Sequence, residues 1–153
     1  MKNWKEIKIS YESLQTEKKL KPWIEKILKK LKPHVLENLK DYPIMVILKK
    51  SLESLVEPEF EFENIVGVTE DALGVIRFNK NSRCFIIEIK ESLLESKDKK
   101  YIERIIAETL LRVHVIIEDL KLGIPINVII DLNKADVHDK QNMSQLLKKS
   151  ILI

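Results

Sequence analysis

Residues 71–90 read Asp71-Ala72-Leu73-Gly74-Val75-Ile76-Arg77-Phe78, then Asn79-Lys80-Asn81-Ser82-Arg83, then Cys84-Phe85-Ile86-Ile87-Glu88-Ile89-Lys90. Two runs rich in β-branched and aromatic residues, 71–78 and 84–89, flank a polar Asn-containing turn. That pattern predicts a β-hairpin, and the rest of the chain is arranged around it. Just upstream, Phe60, Phe62 and Ile65 alternate with Glu59, Glu61 and Glu63, the period of two of a half-buried strand. Just downstream, Ile102, Ile105, Ile106, Leu110, Val113, Ile116, Ile117 and Leu120 repeat at helical spacing. They predict an amphipathic helix from Ser96 or Asp98 to Leu122, stopped by Gly123 and Pro125. The apolar run Ile126–Leu132 then reads as a buried strand, and Met143, Leu146, Leu147 and Ile151 mark a last helix over 137–153.

Upstream of residue 58 the chain reads as helical and basic. Ile7 and Ile9 mark a short strand or a loose arm. Thr16 is placed to cap a helix whose stripe is Leu20, Trp23, Ile24, Ile27, Leu28 and Leu31. Pro33 interrupts that stripe, and Val35, Leu36 and Leu39 continue in a second short helix. The continuous run Ile44–Leu48 is short enough to favour a strand. The order of elements predicts a single α/β (α+β) domain, 1–153, with one mixed sheet. Its parts are a basic helical section at 1–57, a core at 58–132 and a C-terminal helix at 133–153.

Composition removes several classes of protein. The chain has 153 residues, enough for one core and too few for two. Hydrophobic residues make up 44%, too many for a disordered chain. One Cys, Cys84, rules out a disulfide framework and a Cys-based zinc site. The N-terminus lacks the apolar core of a signal peptide, and no apolar run is long enough to span a bilayer, so a cytoplasmic protein is expected. Few Gly and abundant Ile, Lys and Glu resemble thermophile usage. No Gly-rich phosphate loop is present. The net charge of +3 hides an asymmetry: residues 1–50 carry 13 Lys against six acids, and residues 51–71 carry seven acids and no Lys or Arg. The basic third is suited either to phosphate contact or to a solvated helix face.

The first constellation with chemical potential is Asp71, Glu88 and Lys90. Sixteen residues separate Asp71 from Glu88. Glu88 and Lys90, two apart on a strand, point to one face, and a hairpin can bring Asp71 beside them. Two carboxylates make a hard-oxygen site for Mg²⁺ or Mn²⁺, and a nearby Lys can position water or stabilise phosphate charge. The alternative is that Glu88 and Lys90 decorate a solvent face, since Glu-x-Lys also occurs at Glu6, Glu17 and Glu95. Asp71, the sixteen-residue gap, Glu88-Ile89-Lys90, the long helix and the run from Ile126 resemble the PD-(D/E)xK nuclease superfamily. The resemblance implies a restriction-endonuclease-like core of helix, three strands, helix and strand over about 58–132. It implies a metal-dependent nuclease acting on DNA, with Asp71 and Glu88 as metal ligands, Lys90 assisting catalysis, and a homodimer as a reasonable expectation. In place of the family's Pro before the first acid, this chain has Glu70. A further acid in the first helix would be Glu25 or Glu37.

The second constellation lies in the long helix. Ile106-Ala107-Glu108-Thr109-Leu110-Leu111-Arg112-Val113-His114 resembles the active-site helix of zincin metalloproteases. Residues 85–89 and Ser92-Leu93-Leu94 resemble the edge strand and linker of small zincins. A working zincin places His at i and i+4 with Glu between them as base. Here those positions hold Glu108, Arg112 and Thr109, and Arg cannot ligate a metal. This resemblance implies a zincin-like fold without peptidase activity, serving as an interaction module. The other description of Glu108 and Arg112 is an ordinary i,i+4 surface ion pair. His34, His114 and His138 share no ligand spacing. Asp131, Asp136, His138 and Asp139 form either an added metal ligand set or a solvated loop. Cys84 is expected to be an inert, buried apolar residue.

Overall fold

The computed structural model describes residues 3–50, 65–126, 128 and 129. They form an α/β fold with one five-stranded mixed sheet and four helices. In chain order these are β1 (Ile9–Tyr11), α1 (Leu14–Leu28), α2 (Pro33–Leu39), β2 (Ile44–Lys49) and β3 (Ile65–Val68), followed by β4 (Gly74–Asn79), β5 (Cys84–Lys90), α3 (Glu91–Leu94) and α4 (Lys99–Lys121). The spatial order is β1-β2-β5-β4-β3. β1, β2 and β5 run parallel, while β4 is antiparallel to both of its neighbours, β5 and β3. Among the described residues no helix is long and apolar enough to cross a membrane.

The hairpin forms as its sequence predicts, with Asn79 opposite Cys84 and Val75 opposite Glu88. The Asn79 side chain accepts from the Asn81 and Ser82 N–H groups and closes the turn. Its register sorts the sheet into two faces. Val46, Phe85, Ile87, Ile89, Ile76 and Phe78 share one face and are buried with the helices. Ile47, Ile86, Glu88, Lys90, Val75 and Arg77 share the other. Phe78 and Phe85 pack with their rings tilted and ring centres 4.9 Å apart, and Tyr42 packs edge-on to both.

α1 and α4 cover the first face through the stripes read from the sequence, Leu20, Ile24, Ile27 and Leu28 on one and Ile102, Ile105, Ile106 and Leu110 on the other. α4 starts at the N-cap Asp98, whose carboxylate accepts from the N–H groups of Lys100 and Tyr101. It ends in a Schellman turn. Gly123 has φ 85°, its N–H donates to the Leu120 carbonyl, and the Ile124 N–H donates to that of Asp119. α4 lies close to the sheet because Gly74 and Gly67 sit beneath it. A Cβ at Gly74 would stand 3.0 Å from Thr109 Oγ1 and 3.1 Å from Thr69 Cγ2. Gly74→Ala is therefore expected to lower stability by about 2 kcal/mol through overpacking, measured by urea unfolding.

Three local expectations are corrected. The cap of α1 is Ser13. Thr16 sits one turn inside, its N–H donating to Ser13 Oγ at 3.1 Å while its buried hydroxyl accepts from Ser13. β4 begins at Gly74 rather than Asp71. Asp71 and Ala72 have φ of 62° and 52°, values that extended strand does not allow, and Thr69 closes the turn through two bonds with Gly74. Residues 126, 128 and 129 are helical, with the N–H groups of Val128 and Ile129 donating to the Pro125 carbonyl. Pro125 starts a new turn at the position where its missing N–H costs nothing. Phe60, Phe62 and the helix expected over 137–153 lie outside the described residues.

Candidate functional site

The structure separates the side chains of the first constellation. Glu88 is only 3% exposed and lies on the sheet face away from α4. Its Oε1 accepts from Arg77 Nε at 2.9 Å, and its Oε2 lies 2.5 Å from Lys49 Nζ. Lys90 is on that same face, and its strand neighbour is Lys49. Glu88 is thus the counter-charge to Lys49 and Arg77, with Lys90 close by. Asp71 is exposed in the turn before β4 and accepts a hydrogen bond from the Tyr101 hydroxyl of α4. Since α4 covers the opposite face of the sheet, the Asp71 and Glu88 carboxylates are directed to different sides. Among the described residues no group of three or more His, Cys, Asp or Glu is placed to hold a metal ion.

A carboxylate already bonded to two cations is a poor acceptor for a third. Coordination of Mg²⁺ at Glu88 would have to break buried pairs, and those are expensive to open because the freed charge stays in low dielectric. The same geometry gives Glu88 a structural task, holding β2 and β4 to the central strand β5.

The second constellation is brought together, but as an ion pair. Glu108, 2% exposed, accepts from Arg112 Nε at 3.2 Å and Nη2 at 3.1 Å. Thr109, at the position of a zincin base, is buried, and its hydroxyl donates to the Ile105 carbonyl at 2.8 Å. The Arg112 stem passes over Gly67, where a Cβ would lie 3.5 Å from its Cδ. Strand 85–89, expected at an edge, is central, with β4 and β3 outside it. Its residues are apolar on both sheet faces except for Glu88, which suits an interior strand.

A third polar cluster, not anticipated as one, joins α2 to α4. His114 is 1% exposed. Lys121 Nζ donates to Asn38 Oδ1, which turns the Asn38 amide nitrogen toward His114 Nδ1 at 3.1 Å. Nδ1 is thereby the acceptor and the ring proton sits on Nε2, 3.4 Å from Glu118 Oε1. Burial pushes the His114 pKa below the usual imidazole value, against the pull of Glu118. A second proton on Nδ1 would face the Asn38 amide hydrogens, so the folded state resists protonation. The unfolded chain binds that proton more readily, and stability is lost as pH falls through the ordinary histidine value of about 6.5. Wild type is expected to unfold at lower urea concentration at pH 5.5 than at pH 7.5, and His114→Gln to show a smaller difference.

Cys84 is half-buried, and burial pushes its thiol up, away from the reactive thiolate. Asp131, Asp136, His138 and Asp139 lie outside the described residues. Of the partners missed from the sequence, Arg77 was within reach of it. The turn at Asn79–Ser82 fixes a register in which Arg77 is a diagonal neighbour of Glu88. Lys49 and Tyr101 come from distant segments and leave no local signal. No family model, curated protein or solved structure matches the chain.

Proposed function

We propose that this chain is a non-catalytic interaction module, with α4 in the manner of a zincin-like helix that has exchanged its zinc ligands for an ion pair. The observation that carries the reading is the buried Glu108–Arg112 pair. At the two positions that would offer imidazoles, one side chain is a cation and the other is its counter-ion. The position of the base holds a hydroxyl already committed to the helix backbone. Glu88, with both carboxylate oxygens in ion pairs, supports the same conclusion for the hairpin.

A second reading, the Mg²⁺- or Mn²⁺-dependent DNA nuclease, rests on one observation. Asp71 precedes β4, Glu88 and Lys90 end the antiparallel β5, and so all three lie toward the same end of the hairpin. Titration of the protein with Zn²⁺, Mn²⁺ and Mg²⁺ by calorimetry separates the readings, together with a peptide-hydrolysis assay. The interaction module is expected to show no stoichiometric binding and no turnover. Zinc binding lost in Glu108→Gln, or Mn²⁺ binding lost in Glu88→Gln, would overturn it.

A further inference from the structure

β1 is an edge strand whose outer side has no neighbouring strand among the described residues. On its inner side the Lys8 carbonyl accepts from the Ile44 N–H, and the Glu12 N–H donates to the Val46 carbonyl. Backbone groups alternate along a strand, so those of Ile9 and Tyr11 point outward, away from β2. The Ile9 N–H is turned back onto the Ile7 carbonyl. Among the described residues that leaves the Ile9 carbonyl and both groups of Tyr11 without a partner, an open template of the kind that recruits another strand.

Beside this edge runs a groove of about 420 Å³ between β1, α1 and the first turn, lined by Trp4, Ile9 and Tyr11 together with Glu17, Lys21 and Glu25. Both signs of charge lie in one patch. Continuous with it on α1 is Leu14, 86% exposed, the most exposed large apolar residue among those described. Such a surface needs an occupant, and the sequence of the edge itself specifies one.

We propose that the occupant is a second copy of this chain, joined by antiparallel β1–β1 pairing about a two-fold axis through Ser10. In that register Ile9 lies opposite the partner's Tyr11, so the outward backbone groups of one strand meet those of the other. Lys8 lies opposite the partner's Glu12, and Glu12 opposite the partner's Lys8. Both residues are exposed and form no ion pair with another described residue of their own chain. Pairing makes two cross-strand ion pairs on one face of the extended sheet and two aromatic–aliphatic pairs on the other. A two-fold interface must be complementary to itself, and the Lys8-Ile9-Ser10-Tyr11-Glu12 order satisfies that requirement. The two α1 helices then flank the axis, where Leu14 and the groove can be covered. This inference stands on the β1 edge and does not depend on whether α4 or the hairpin has a catalytic role.

Sedimentation equilibrium tests it with wild type, Lys8→Glu, Glu12→Lys and the double exchange Lys8→Glu/Glu12→Lys. Wild type is expected at twice 17.9 kDa. Each single exchange sets like charges opposite each other in both pairs and should weaken association at least about ten-fold. The double exchange should restore it. Both side chains are exposed, and circular dichroism of each variant verifies that the fold is kept. Hydrogen exchange at the Tyr11 amide gives a second readout, with protection that rises with protein concentration. A monomeric wild type, a dimer indifferent to the single exchanges, or a Tyr11 amide protected in the monomer because the chain's own segment covers it, would each overturn the proposal.

Discussion

Replacing Glu88 with Ala is expected to lower the unfolding free energy by about 3 kcal/mol, the cost of breaking a buried ion pair from one side. For a chain of this length that is a fall in Tm of roughly 6–12 °C. The size follows from what is left behind. Arg77 and Lys49 lose a buried carboxylate that both contact, while Lys90 remains next to Lys49 on the same sheet face. Glu88→Gln keeps the shape and an acceptor oxygen but removes the charge, and most of the loss should persist. Calorimetric unfolding of the two variants checks this. A carboxylate kept for chemistry alone would leave Tm unchanged or raised in both.

Arg112→Ala has the second largest expected effect, again about 3 kcal/mol. Glu108 is almost wholly inside the protein, and Arg112 supplies two of its hydrogen bonds. The Arg stem also packs over Gly67, so truncation removes contact between α4 and β3 as well as charge. An exposed i,i+4 pair would be worth only a few tenths of a kcal/mol. The measured loss in urea unfolding therefore distinguishes a buried structural pair from surface decoration. Arg112→Lys should recover only part of the loss, because an ammonium cannot reproduce two directed guanidinium bonds.

Much of the fold was legible because its signals are local. The hairpin followed from its turn, and α4 followed from its stripe together with Gly123 and Pro125. The strand read at Ile44–Leu48 forms, and the misreading of the run from Ile126 has a physical cause. Ile126–Leu132 and Ile44–Leu48 are apolar runs of similar length, and periodicity alone cannot assign such runs. Tertiary context placed the second in the sheet, while the described residues of the first are helical. The turn around Asp71 depends on Thr69 reaching Gly74, which no spacing rule discloses.

The candidate sites were legible as residue types but not as states. Glu88 and Lys90 share a face, as strand alternation requires. What the sequence could not disclose is that Lys49, thirty-nine positions away on a parallel strand, reaches the Glu88 carboxylate. Glu108 and Arg112 were correctly spaced for a pair, but their burial depends on how closely α4 approaches β3. His114, read from the sequence only as sharing no ligand spacing with His34 or His138, is buried, and α2 brings Asn38 against it from seventy-six positions away in the chain.

On the proposed reading, the charged residues of the hairpin and of α4 hold the fold together and hydrolyse no substrate. Plasmid nicking in Mg²⁺ or Mn²⁺, comparing wild type with Glu88→Gln, tests this. Both proteins are expected to leave supercoiled DNA at the level of the protein-free control. Divalent-dependent nicking by wild type that disappears in Glu88→Gln would contradict the claim and return Glu88 to a catalytic role.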